Sequence, residues 1–137
     1  MSDTRPERIL IVDDDVAIAR MLQQLLESVG YRIHTETSGQ AALTYAMEEP
    51  PALVILDLRL PDLNGYDVCR RLRHLYSGWT LPVIMLTGMD RPVDQLRGFA
   101  HGADAYLTKP CDPSELLKTV GLLLGEAEFD WRGLGTL

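Results

Sequence analysis

The 137 residues are 46% hydrophobic and 24% charged, a balance suited to one globular domain around one core. A formal net charge of -7 works against non-specific binding to nucleic acid, which needs clustered Lys and Arg to release counterions. No apolar run approaches the ~18 residues of a membrane span, and the polar start from Met1 to Arg8 lacks the apolar stretch of a secretory signal, so a cytoplasmic protein away from the membrane is expected.

Ile9-Leu10-Ile11-Val12 is a continuous aliphatic run, the pattern of a strand covered on both faces, and it ends abruptly in Asp13-Asp14-Asp15. Ile18, Met21, Leu22, Leu25, Leu26 and Val29 then recur at helical spacing, with Gly30 placed to stop the helix. A weaker strand near Tyr31 to Thr35 precedes a helix from about Ser38 to Met47, which Pro50-Pro51 terminates. Leu53 to Leu56 is the next buried strand. The turn-rich Pro61-Asp62-Leu63-Asn64-Gly65 leads to a helix with Val68, Leu72 and Leu75 on one side.

Pro82 introduces a fourth strand from Val83 to Leu86, and Pro92 to about Ala100 reads as a short helix closed by Gly102. Ala105-Tyr106-Leu107 reads as a fifth strand. Asp112-Pro113-Ser114-Glu115 offers the last helix an N-cap, a first-turn proline and a capping-box acid, and Leu116, Leu117, Val120, Leu123 and Leu124 give it an apolar face. Five strands alternating with five helices predict an α/β fold: a doubly wound, flavodoxin-like parallel sheet of order 2-1-3-4-5. Residues 8–125 form the domain. Glu126 to Leu137 shows no pattern and reads as a C-terminal tail or linker stub.

In an open parallel sheet, ligands bind beyond the carboxyl ends of the strands, near the reversal of strand order. Asp13 and Asp14 follow strand 1, Asp57 follows strand 3, Thr87 follows strand 4 and Lys109 lies just past strand 5. A nucleotide-binding turn after strand 1 would be glycine-rich, whereas this one is triply acidic. Clustered carboxylates repel unless a cation lies among them, and oxygen-only ligands favour Mg²⁺, with Mn²⁺ as its substitute. With the metal and Lys109 neutralising phosphate oxygens, the Asp57 carboxylate is able to attack phosphorus and form an acyl phosphate, and Thr87 to donate a hydrogen bond to it. Isolated His34, His74 and His101, and the widely spaced Cys69 and Cys111, read as structural. Asp15 reads as a helix cap; Leu58, Leu60, Leu63 and Trp79 read as packing residues.

Asp13-Asp14, Asp57 within LDLRLPDLNG, Thr87-Gly88 and Tyr106-Leu107-Thr108-Lys109-Pro110 together resemble the receiver domains of bacterial two-component response regulators. The resemblance spans about Arg8 to Gly125. It implies that Asp57 accepts phosphate from a histidine of a sensor kinase or phosphotransfer protein. It also implies that Asp14 binds Mg²⁺ directly, Asp13 mainly through water, and the backbone carbonyl of Arg59 completes the ligands. It further implies a cis Lys109–Pro110 bond, movement of Thr87 toward the phosphoryl group, and an inward turn of Tyr106. That turn would repack the face of helix 4, strand 5 and helix 5 for a downstream effector domain or protein. Arg59 and Met89 lie where such domains tune phosphate lifetime.

Three features depart from the usual pattern. Gly88 leaves access to the phosphate open, and Cys111 stands where a Phe is common. Ala105 and Thr119 replace the acid and Arg of the salt-bridged receiver dimers, so a monomer or a weak phosphorylation-dependent dimer is expected. The protein is expected to catalyse only its own phosphotransfer and slow dephosphorylation. A haloacid-dehalogenase-type phosphatase would need a second Asp where this chain has Arg59, and a cap domain for which there is no room. A phosphorylation-independent scaffold on the same fold would not call for the acidic pair, Asp57, Thr87 and Lys109 together.

Overall fold

The computed structural model describes residues 7–76 and 81–126, and the backbone of 129–130 and 135–136; Trp79 lies outside the described residues. Elements alternate along the chain as β1 (Arg8–Val12), α1 (Val16–Ser28), β2 (Arg32–Glu36), α2 (Gly39–Glu48), β3 (Leu53–Leu56) and α3 (Gly65–Leu75). They continue as β4 (Val83–Thr87), α4 (Pro92–Ala100), β5 (Ala105–Thr108) and α5 (Pro113–Leu123). The first five strands form a parallel sheet in the order β2-β1-β3-β4-β5, with Ile9 beside Leu53 and Ile33, and Ile84 beside Ala105. The flavodoxin-like α/β architecture expected from the sequence is therefore present.

Because side chains alternate along a strand, one aliphatic run feeds two cores. Leu10, Val12, Val54, Leu56, Val83 and Met85 pack with Ala42, Val68, Cys69 and Leu72 of α2 and α3. Ile9, Ile11, Leu53, Ile55, Ile84 and Leu86 pack with Leu22 and Leu26 of α1 and Leu116 and Val120 of α5. All twelve strand residues named are buried, which is why their sequence reads as continuous rather than alternating hydrophobicity.

Most of the helix starts were legible. Asp15 accepts from the backbone amides of Ala17 and Ile18 at 3.0 and 3.2 Å, Ser38 from Ala41 at 3.2 Å, and Asn64 from Asp67 at 2.9 Å. Asp112 accepts from Ser114 N at 2.8 Å, without a reciprocal bond from Glu115 among those described, so the cap is a single Asp rather than a box. Helical spacing overstated two faces: Met21 (60% exposed) on α1, Val29 at its C-cap, and Leu75 on α3 lie toward solvent rather than in the core. An apolar stripe wider than the sheet beneath it leaves its margins uncovered.

Two short strands follow in the tail. Phe129–Asp130 (β6) pairs antiparallel with Gly135–Thr136 (β7). Two-residue strands are too short to carry a periodic signal. Among the described residues, no helix is long and apolar enough to cross a membrane.

Candidate functional site

The carboxyl edge of the sheet gathers the polar residues that the sequence singled out. Asp57 N donates to the carbonyl of Val12 at 2.9 Å, holding the end of β3 level with the end of β1, and Asp13 N donates to the carbonyl of Glu36 at 3.1 Å. Lys109 N donates to the carbonyl of Thr87 at 2.8 Å and joins the ends of β5 and β4 in the same way. Sheet register, rather than local sequence, thus aligns residues almost a hundred positions apart.

Lys109 Nζ donates to Asp13 Oδ2 at 2.7 Å and to Asp57 Oδ2 at 2.8 Å. Asp13 and Asp57 are buried, while Asp14 is exposed at the rim. Each of the three carboxylates offers an oxygen, and these oxygens lie within 4.8 Å of one another. The donor set contains no Cys or His, so the pocket fits a hard divalent cation rather than zinc or copper.

Electrostatics fit an incomplete charge balance. Burial pushes the Asp13 carboxyl above the usual range even though Lys109 and the amide of Asp15 pull it down. Burial also works against the Lys109 ammonium, but the hydrogen bonds and charges of Asp13 and Asp57 outweigh it and hold its pKa above the ordinary lysine value. One lysine therefore faces two buried carboxylates and a third at the rim. A second cation would relieve that excess.

Asp57 Oδ1 accepts from Arg59 N at 3.3 Å, which folds the chain after β3 back on its own carboxylate, and Arg59 bridges to Asn64. The return of α3 is very close: Gly65 N donates to Leu58 O at 2.8 Å, and a Cβ on Gly65 would come within 2.5 Å of the carbonyl of Asp57. Only glycine fits there.

Thr87 is fully buried, its Oγ1 accepting from Met89 N at 3.4 Å, and a side chain on Gly88 would meet nothing within 4 Å. The Lys109–Pro110 bond is cis. Tyr106 stands apart from the acidic pocket. Its hydroxyl donates to Met89 O at 2.7 Å and its half-buried ring packs beneath α4, 6.5 Å from the ring of Phe99. Burial raises its pKa well beyond the ordinary tyrosine value.

Sequence reasoning missed two groups. Tyr66 is buried where α3 meets α4, with nothing in its surroundings along the chain to separate it from a surface tyrosine. Arg73 donates to the carbonyls of Leu81 and Gly102 and to Asp104 at 2.8 Å, while Asp104 also accepts from Val83 N at 2.8 Å. That cluster ties α3 to the starts of β4 and β5. It pairs residues that only the fold brings together.

A five-stranded α/β sheet with three carboxylates and a lysine at its switch point defines a class of fold whose acidic edge is consistent with a metal site. The profile of the response regulator receiver domain matches residues 9–121, and the chain belongs to that family, whose members are signalling modules rather than conventional enzymes. It is 38% identical over 133 residues to a probable transcriptional regulator, ycf27, of Porphyra purpurea, covering 97% of this chain and 54% of that one. It is 43% identical over 117 residues to the DNA-binding dual master transcriptional regulator RpaA of Synechocystis, covering 85% and 48%. A crystal structure of a putative response regulator from Chloroflexus aurantiacus superposes with a TM-score of 0.83 at 38% identity, covering 88% of this chain and 98% of that one. The chain spans about half the length of the curated relatives it matches.

Proposed function

We propose that residues 8–125 are a phosphorylation-activated switch in which Asp57 accepts a phosphoryl group from a phosphohistidine of a sensor kinase or phosphotransfer protein in the cytoplasm. The observation that carries this reading is Lys109 Nζ bonded to Asp13 and Asp57 beside an acidic cluster sized for one cation. An oxygen of Asp57 attacks phosphorus. The bond from phosphorus to the donor imidazole breaks with its electron pair passing to the ring, leaving an acyl phosphate. Asp13, Asp14, Asp57 and the backbone carbonyl of Arg59 would hold Mg²⁺, or Mn²⁺ in its place, which would supply positive charge against the phosphate oxygens.

Lys109 gives up one carboxylate contact to a phosphate oxygen and supplies the remaining charge. Open space at Gly88 leaves a path for the donor. Thr87 exchanges its contact with Met89 N for a hydrogen bond to the phosphoryl group, drawing in the turn whose carbonyl at Met89 holds Tyr106. An arrangement that binds phosphate better is populated more once phosphate is present, and the packing of α4, β5 and α5 follows. A downstream effector domain or protein reads that face. The transcriptional relatives are about twice as long, which suits an output domain following residues 126–137 as a linker.

Intact mass after incubation with acetyl phosphate, with and without Mg²⁺, tests the reading in wild type and Asp57→Asn. One Mg²⁺-dependent phosphoryl adduct, absent from the variant, is expected. No adduct under any condition would favour the phosphorylation-independent scaffold.

A further inference from the structure

Helix α4 is held from below by two tyrosine hydroxyls, only one of which belongs to the switch described above. Tyr106 of β5 donates to Met89 O, just before the helix. Tyr66 of α3 donates to Asp94 O, in the first turn of the helix, at 3.1 Å. Both bonds end on backbone carbonyls, so each phenol fixes the position of the main chain rather than the identity of a side chain.

The surroundings of Tyr66 make it a junction. The residue is 6% exposed. The Arg97 guanidinium lies 5.2 Å from the ring centroid, and the His101 ring lies at 5.1 Å with a tilt of 39°. Asp94, Arg97 and His101 follow one another at three- and four-residue intervals, so a whole face of α4 closes on this one residue of α3.

The same helix can approach β5 only because of Gly98. A Cβ there would come within 2.8 Å of the Tyr106 ring and 2.9 Å of Met85 Sδ. Any displacement of α4 therefore changes both the room available to Tyr106 and the bond made by Tyr66.

We infer that Tyr66 is a positioning residue for the switch: its hydroxyl, bonded to Asp94 O, pins α4 in the arrangement that keeps Tyr106 inward against Gly98 and Met89. Arg97 and His101 hold the Tyr66 ring in place for that bond. The relay from the phosphate pocket to α4 then has an anchor in α3 as well as in β5. The consequence for signalling rests on the phosphorylation reading, but the coupling between the two tyrosines does not.

The test is the ring signal of Tyr106 in protein carrying carbon-13-labelled tyrosine, assigned through Tyr106→Phe and followed without ligand and then with Mg²⁺ and beryllofluoride. Tyr66→Phe keeps the ring and removes only the hydroxyl. Tyr76→Phe is the control, because Tyr76 also donates to a buried-side carbonyl, Ala46 O at 2.6 Å, on the far side of α3 from α4. Tyr66→Phe is expected to lower the ratio of inward to outward Tyr106 about three- to tenfold, the range set by one neutral hydrogen bond, while Tyr76→Phe leaves it unchanged. Beryllofluoride should restore the inward signal in Tyr66→Phe at a correspondingly higher concentration.

Equal Tyr106 signals in the two variants would overturn the inference, as would a Tyr66→Phe effect seen only in the thermal midpoint. Failure of Asp57 to take a phosphoryl group would leave the ligand-free comparison intact. The two readings thus fail separately.

Discussion

At Asp13, burial and pairing pull in opposite directions, and burial wins. A carboxyl whose folded pKa lies above its unfolded value binds its proton more tightly when folded, so its ionisation at neutral pH detracts from stability. Asp13→Asn keeps an oxygen for the amide of Asp15 and removes the charge. Thermal unfolding in chelator should therefore give a higher midpoint for Asp13→Asn than for wild type, and the rise produced by Mg²⁺ should be lost. A lower metal-free midpoint would mean that the bond to Lys109 outweighs the cost of burial. Arg59 and Met89 flank the same pocket without joining its charge cluster. Substitution of either is expected to change the decay rate of the Asp57 phosphoryl adduct severalfold with little change in unfolding midpoint, as read by mass against time.

At the scale of elements, carboxylates fasten three helix starts besides that of α1, which Asp15 caps. Asp62 reaches across from the loop after β3 to accept from Gly39 N and Gln40 N at 2.8 and 2.9 Å, so the loop that follows Asp57 is tied to the first turn of α2. Asp94 accepts from the guanidinium and backbone amide of Arg91 at the start of α4, and Asp112 caps α5. Backbone amides hold the Asp62 and Asp112 carboxyls below their usual range, and the Arg91 side chain does the same for Asp94. A lowered folded pKa contributes stability that is present above the unfolded value of 3.8 and lost as pH falls through the folded value. The unfolding midpoint should fall as the pH is taken below 3.8, and the fall should be smaller in the triple variant Asp62→Asn, Asp94→Asn, Asp112→Asn. An unchanged slope would assign acid sensitivity to other groups.

For the whole molecule, the exposed face of α4 carries Val93, Leu96 and Phe99 at three-residue intervals, with Leu96 69% exposed, and α5 adds Leu122. Ala105 and Thr119 supply no charges for a salt-bridged rim. Two chains of formal charge -7 repel at long range, and added salt screens that repulsion without weakening an apolar contact. Sedimentation with beryllofluoride and Mg²⁺ should therefore show weak self-association that strengthens with salt. Association that weakens with salt would point to ion pairs across the interface.

The buried strands, the helix caps and the order of acidic residues were legible because each is a local signal: an unbroken aliphatic run, a capping side chain, a carboxylate at a strand end. The family followed from the ordered set of these signals. Side chains that act across the sheet were not legible. Nothing near Tyr66, Arg73 or Asp62 in the chain indicates that Asp94, Gly102 and Gly39 will be their partners, because those contacts depend on register and on how closely helices approach. The sequence by itself determined the elements, their order and the chemistry available at the sheet's edge. Tertiary structure alone decided which carboxylates share Lys109 and which carbonyls the buried tyrosines hold, since hydrogen bonds are set by distances of a few ångströms that only packing defines.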